Sequence, residues 1–213
     1  VLYVPDQPGK NRSMPSYPLA KKNEGFMDAS QVQYVARAGN YAAHGFSYHG
    51  ALRILKVILG YDYLWINVRV KGGAYGCMNG YMRNGDTYFV SYRDPNLSAT
   101  NEIYDGIPAY LEKFDADERE MTGYIIGTIS NKDVPRTPQM QGSISKTAYF
   151  SNVTEDMLQK ERNQILGAQK EDIQKLAALV EAVLSDDQIC VVGSETAIEK
   201  AEDVFMEVKP LIG

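Results

Sequence analysis

Residues 76–93 constrain the fold more than any other stretch of this 213-residue chain. Gly76 to Met82 leads into Arg83-Asn84-Gly85-Asp86, and Thr87 to Arg93 returns with Tyr88, Val90 and Tyr92 on one face. Asn-Gly tolerates positive φ at both central positions of a type I′ turn, so the spacing predicts an antiparallel hairpin. Asp94-Pro95-Asn96 ends its second strand.

Around this hairpin the pattern alternates between short strands and runs of helix. Val32, Tyr34 and Ala36 alternate with Gln33, Val35 and Arg37, which reads as a half-buried strand closed by Gly39-Asn40. From Tyr48 to Leu59, the residues Leu52, Leu55, Ile58 and Leu59 recur at helical spacing, with Gly60 as the expected stop. Tyr61 to Val70 is ambiguous: Ile66, Val68 and Val70 favour a strand, whereas helical spacing would stack Leu64 on Val68 and Trp65 on Arg69. Ser98 or Thr100 is expected to cap a helix toward Phe114, with Pro108 as a kink, and Asp115 to Ile129 is expected to be helical.

A long polar loop with Pro135 and Pro138 follows, then a helix capped by Thr154 and another over Glu171 to Leu184. Ile189 to Val192 reads as a buried strand, and Ser194 or Thr196 as the cap of a last helix. The expected fold class is α+β, with helices packed on one face of a largely antiparallel sheet. Residues 1–25, with Pro5, Pro8, Pro15 and Pro18, read as an extended lead-in or linker, and residues 26–213 as one domain.

Composition removes several functional classes. A net charge of −5 argues against nucleic acid or an anionic membrane as the main partner, since both demand a basic patch. Cys77 and Cys190 are too few and too far apart for a disulfide scaffold. The longest apolar run, around Leu176 to Leu184, is broken by Glu181 and falls short of a membrane span. No targeting signal is legible, which makes an intracellular location the expectation, bacterial cytoplasm or organelle matrix.

Three places invite a chemical reading. His44 and His49, the two histidines, lie five apart with no acid between them. A helical zinc site needs ligands one turn apart and a carboxylate nearby, so these read as hydrogen-bonding loop and helix-start residues, and no metal is expected in this chain. Ser143 and Lys146 match S-x-x-K without the other elements of that enzyme class, and read as a solvated loop or strand start. Gly193-Ser194 offers one glycine, too few for a phosphate cradle.

The most unusual segment is Arg69-Val70-Lys71-Gly72-Gly73-Ala74-Tyr75-Gly76. Its glycines permit tight turns and close backbone approach. Arg69 offers a permanently charged fork of donors, and Tyr75 a phenol able to donate to a carbonyl oxygen that gains negative charge. Arg69, Gly72, Gly73 and Tyr75 are therefore candidates for gripping a peptide backbone or stabilising an oxyanion. The alternative is a C-capping arginine before a glycine turn, with Tyr75 packed in a strand.

That segment resembles the C-terminal signature of presequence proteases, members of the insulinase/pitrilysin-like zinc peptidases that include falcilysin. Asn23-Glu24-Gly25-Phe26, Gln33-Tyr34-Val35 with Ala38-Gly39-Asn40, Tyr63-Leu64-Trp65 and Ser91-Tyr92-Arg93-Asp94-Pro95-Asn96 are similar to that family's last domain, in the same order. The resemblance implies a mitochondrial processing peptidase-like metallohydrolase fold and a helix over Leu64 to Val70. It implies a parent enzyme with two halves closing a chamber around peptide substrates. The N-terminal half would carry an inverted HxxEH zinc site, and this chain would supply Arg69 and Tyr75 to substrate binding and oxyanion stabilisation. No HxxEH occurs here, so the chain alone is expected to be inactive, with the N-terminal catalytic half as its partner. Two rivals remain: a non-catalytic peptide-binding or assembly domain of the same fold, and a small-molecule enzyme using Ser143 and Lys146.

Overall fold

A computed structural model describes residues 21–212. Its centre is a six-stranded sheet in the order β3-β4-β2-β5-β1-β6, where β1 is Glu24–Asp28, β2 Gln33–Asn40, β3 Gly76–Tyr81, β4 Asp86–Asp94, β5 Gln188–Ser194 and β6 Glu207–Pro210. The pairs β3–β4, β4–β2 and β2–β5 are antiparallel, and β5–β1 and β1–β6 are parallel. The sheet is thus antiparallel at the hairpin end and parallel at the other. Glu24 and Gly25, placed in the lead-in by sequence, belong to β1, and neither β1 nor β6 was expected as a strand; residues 1–20 lie outside the described residues.

Successive strand residues point to opposite faces, and here one face is sealed. Val35, Arg37, Phe89, Ile189 and Val191 are buried on it. The opposite face carries Tyr34, Met78, Tyr88, Val90 and Tyr92, exposed or half-buried. In β2 the buried set is therefore Gln33, Val35 and Arg37, not the more apolar-looking Tyr34 and Ala36. Arg37 can be buried because its guanidinium donates to Asn101 Oδ1 (2.7 Å), Asp105 (3.2 Å) and the Leu184 carbonyl (2.9 Å).

The helical layer comprises α1 (Ala51–Ile58), α2 (Ser98–Asp105), α3 (Ile107–Glu112), α4 (Glu118–Lys132), α5 (Pro138–Phe150), α6 (Glu155–Leu166), α7 (Lys170–Gln174), α8 (Leu176–Ser185) and α9 (Glu195–Lys200). Caps explain most starts. Asp117 and Glu120 form a reciprocal box at α4, and the hydroxyls of Thr154 and Ser194 accept backbone N–H groups at α6 and α9. Pro108 falls in the first turn of α3, where a missing N–H costs nothing, so the expected kink is a break at Gly106.

Several expectations fail for identifiable reasons. Gly60 does not stop α1, since its backbone stays right-handed and the helix widens into π-helical turns over Leu59–Tyr63 and Trp65–Lys71. Side chains reach carbonyls along this stretch: Asn79 Nδ2 donates to Lys56 O (3.3 Å) and Asn67 Nδ2 to Tyr63 O (2.8 Å). The β-branched residues there are helical, as the resemblance implied. The hairpin turn is not type I′, because Asn84 keeps negative φ. Only Gly85 is left-handed (φ 100°), and Met82 O accepts from Gly85 N, giving a three-residue loop.

Neither Ser98 nor Thr100 caps α2, since the Thr100 hydroxyl donates to Asp94 instead (2.7 Å). The polar stretch after Pro135 holds α5, capped by Thr137 with Pro138 in the first turn. Ser143 and Lys146 therefore sit on an exposed helix rather than in a loop or strand.

Candidate functional site

The arginine–glycine–tyrosine segment lies where the widened helix turns into β3. The helix ends at Gly72, and Gly73 takes φ 82°. The amides of Gly73 and Ala74 turn back onto the carbonyls of Arg69 (2.9 Å) and Val68 (3.1 Å). Both glycines are required. A Cβ at Gly72 would come within 2.5 Å of the Val68 carbonyl oxygen, and Gly73 occupies a conformation that other residues enter at a cost of about 1–2 kcal/mol.

The end of β4 braces this turn. Asn96 Nδ2 donates to the Gly72 carbonyl (2.6 Å), and buried Asp94 holds Asn96 N (2.9 Å) and the Thr100 hydroxyl. Arg93 carries positive φ (48°) without being glycine, and its carbonyl accepts the Tyr75 N–H (3.2 Å). Two motifs that are separate in sequence, residues 69–76 and 91–96, are therefore one structure in space.

Arg69 and Tyr75 leave this turn differently. Tyr75 is 59% exposed and packs edge-on against Tyr92, with ring centroids 5.4 Å apart, on the uncovered side of the sheet. The Arg93 guanidinium lies 5.7 Å from the centre of the Tyr75 ring. Arg69 is half-buried and stacks on Trp65 at 3.9 Å, one turn back along the helix. Arg69 has no carboxylate partner within salt-bridge distance among the described residues. Its charge reaches Cys77: burial pushes that thiol up to about 11, with Arg69 pulling the other way.

Beside Trp65 opens a cavity of about 490 Å³, bordered by Lys56, Tyr61, Cys77, Met78 and Asn79. Sequence reasoning did not find it, because its walls come from α1, the π-helical stretch, β3 and α4 together. The singleton Trp65 beside Arg69 was the available signal.

The other candidates part company. His44 Nε2 contacts Asp186 (2.9 Å), and His49 Nδ1 accepts the Ala51 N–H (3.1 Å) at the start of α1. Among the described residues no group of three or more His, Cys, Asp or Glu is placed to hold a metal ion. Ser143 borders an apolar depression beside α5 that Lys146 does not line, and no hydrogen bond joins the Lys146 ammonium to the serine hydroxyl. Ser194 caps α9, so Gly193-Ser194 is a strand-to-helix turn. No helix of the described residues is long and apolar enough to cross a membrane.

Comparison with known proteins identifies the family and the fold. Protein HypA of Clostridium perfringens is 50% identical over 197 residues, covering 92% of this chain and 20% of that protein. Presequence protease 1, chloroplastic/mitochondrial, of Arabidopsis thaliana is 33% identical over 195 residues, covering 90% and 18%. The chain thus spans about a fifth of the length of these relatives. In fold it resembles a peptidase M16 inactive domain from Pseudomonas fluorescens, with TM-score 0.61 and 17% identity over 95% of this chain and 48% of that one. The family model for the PreP C-terminal domain matches residues 23–195, from the first residue before β1 to the start of α9, and the chain belongs to that family.

Proposed function

We propose that this chain is the C-terminal, non-zinc-binding domain of a zinc metalloendopeptidase that degrades short peptides inside a closed two-half chamber. It supplies Arg69 and Tyr75 to the substrate and does not cut peptides alone. The observation that carries this reading is their placement: exposed Tyr75 and half-buried Arg69, which has no carboxylate partner among the described residues, stand at the two ends of one braced glycine turn. A residue pair serving only the fold would be sealed and satisfied.

The chemistry follows from the two side chains. Arg69, held over the Trp65 ring, presents N–H donors that suit peptide carbonyls and carboxylates. Tyr75, held through its backbone by Arg93 and through its ring by Tyr92, presents an O–H that can donate to a carbonyl oxygen as negative charge builds on it. Gly72 and Gly73 let a substrate backbone approach the turn without meeting side chains. A catalytic zinc fits none of the described residues, so hydrolysis depends on a metal site elsewhere in the polypeptide, in its N-terminal half. That half and peptide substrates are the partners, and an intracellular compartment goes with them.

Substitution of Arg69 in the full-length enzyme tests the binding part of this role. Arg69→Ala is expected to raise KM about tenfold or more, and Arg69→Lys to recover only part of the loss, since an ammonium restores the charge but not the fork. A KM unchanged by Arg69→Ala would remove Arg69 from the site.

A further inference from the structure

The cavity beside Trp65 runs along the outer edge of β3. Consecutive strand residues point to opposite faces, and Cys77, Met78 and Asn79 all border it, so it follows the strand's edge and reaches the open face at Tyr88 of β4. Among the described residues β3 has β4 as its one strand partner, which leaves that edge without a neighbouring strand. Asn79 is 2% exposed, and its Nδ2 is used by Lys56 O, yet its Oδ1 has no partner. A buried amide oxygen without a donor is costly, and it awaits an N–H.

The charge around the groove is one-sided. Arg53, Lys56 and Lys132 border it, and no aspartate or glutamate does. Just behind it, the single carboxylate of Glu161 serves Arg53, Arg83 and Lys132, three cations to one anion. Lys56 is exposed and lies within salt-bridge distance of no carboxylate among the described residues. This local excess runs against the chain's net charge of −5. The rest of its lining sets apolar Val57, Tyr61, Trp65 and Met78 beside polar Asn79, Thr128 and Asn131.

From these features we infer that the groove binds an extended peptide strand through the β3 edge, with an acidic side chain of that peptide set against Lys56 and its neighbouring cations. The strand would offer an N–H to Asn79 Oδ1 and an apolar side chain to Tyr61 and Trp65. The inference builds on the reading of Arg69 as a substrate-gripping residue. Arg69 rests on Trp65, so a peptide held there continues naturally into the groove.

Trp65 is the chain's one tryptophan, so its fluorescence reports occupancy directly. The probes are three extended octapeptides of one apolar sequence carrying Glu, Gln or Lys at a single central position, titrated into this 213-residue chain. The Glu peptide is expected to bind about tenfold tighter than the Gln peptide, with the difference shrinking as salt rises. Lys56→Glu, an exposed change, should leave circular dichroism and thermal unfolding intact and reverse the order in favour of the Lys peptide. Equal binding of the three peptides, no binding, or a Glu preference that survives Lys56→Glu would overturn the inference. None of these results depends on turnover, so the groove can fail while the roles of Arg69 and Tyr75 stand, and the reverse.

Discussion

Replacing Tyr75 by phenylalanine in the full-length enzyme is expected to lower kcat about 10²–10³-fold, the range found when one oxyanion donor is removed, while KM changes little. The split between the two constants is the informative part. A phenol that donates chiefly when the carbonyl oxygen carries negative charge contributes to the transition state and not to ground-state binding. The substitution should be structurally quiet. Tyr75 is 59% exposed, its ring contact to Tyr92 is kept by phenylalanine, and its backbone bond to Arg93 is untouched. Steady-state kinetics with a fluorogenic peptide would measure it, with unfolding curves as a control. Full turnover in the variant would remove Tyr75 from the chemistry.

The second large effect concerns stability. Glu161 on α6 is 2% exposed and ties together Arg53 of α1, Arg83 of the β3–β4 loop and Lys132 of α4, with the Tyr48 hydroxyl donating to it at 2.7 Å. Burial by itself would raise this carboxyl. Hydrogen bonds from Lys132 and Tyr48 and the charge of Arg53 outweigh it and hold the group below the usual carboxylate range. Tyr48, in turn, is pushed up to about 12 by burial and by the carboxylate it serves.

Glu161→Gln leaves three cations facing a neutral amide and is expected to cost about 3–5 kcal/mol, read as a lowered urea midpoint. The exposed pair Arg162–Asp133, on the same helix layer, supplies the control, and Arg162→Gln should change little. The pH dependence has a definite sign. Because the folded Glu161 binds its proton less readily than the unfolded one, its stabilisation is present above the ordinary value of 4.5 and is lost as pH falls through the lower folded value. The wild type should therefore lose stability on acidification in that window, and Glu161→Gln should show a flatter profile there. A variant as stable as wild type at neutral pH would mean the cluster does not hold the helices together.

Why these two sites differ in legibility is a matter of range. Arg69, Gly72, Gly73 and Tyr75 lie within one short segment, and glycines near an arginine and a tyrosine are conspicuous at any reading. The brace from Asp94 and Asn96 was visible only as a second motif, since nothing local says that Asn96 reaches Gly72. The Glu161 cluster was invisible, because its four cationic and phenolic partners come from residues 48 to 132 and Glu161 itself sits in an ordinary charged helix.

Local rules erred where a neighbour overrode them. Ile66, Val68 and Val70 have strand propensity but are helical, and Val68 is fully buried in the core. Gly60 signals a stop, yet the helix widens and continues, with the carbonyl of Lys56 taken by Asn79 from β3. β1 and β6 escaped notice because each is short and paired in parallel, a partnership with no hairpin turn to announce it. Arg37 misdirected the reading of β2, since a charged residue is expected outside unless the Asn101 amide, the Asp105 carboxylate and the Leu184 carbonyl, from two helices, are known to meet it.

The central claim is that Arg69 and Tyr75 meet a peptide at the carbonyl under attack. The most direct test is a crystal structure of the full-length enzyme holding a non-hydrolysable peptide. The account predicts the Tyr75 hydroxyl within about 3 Å of the carbonyl oxygen at the scissile position and the Arg69 guanidinium on the neighbouring backbone. A closed, peptide-filled chamber in which both side chains face away from the peptide would contradict it.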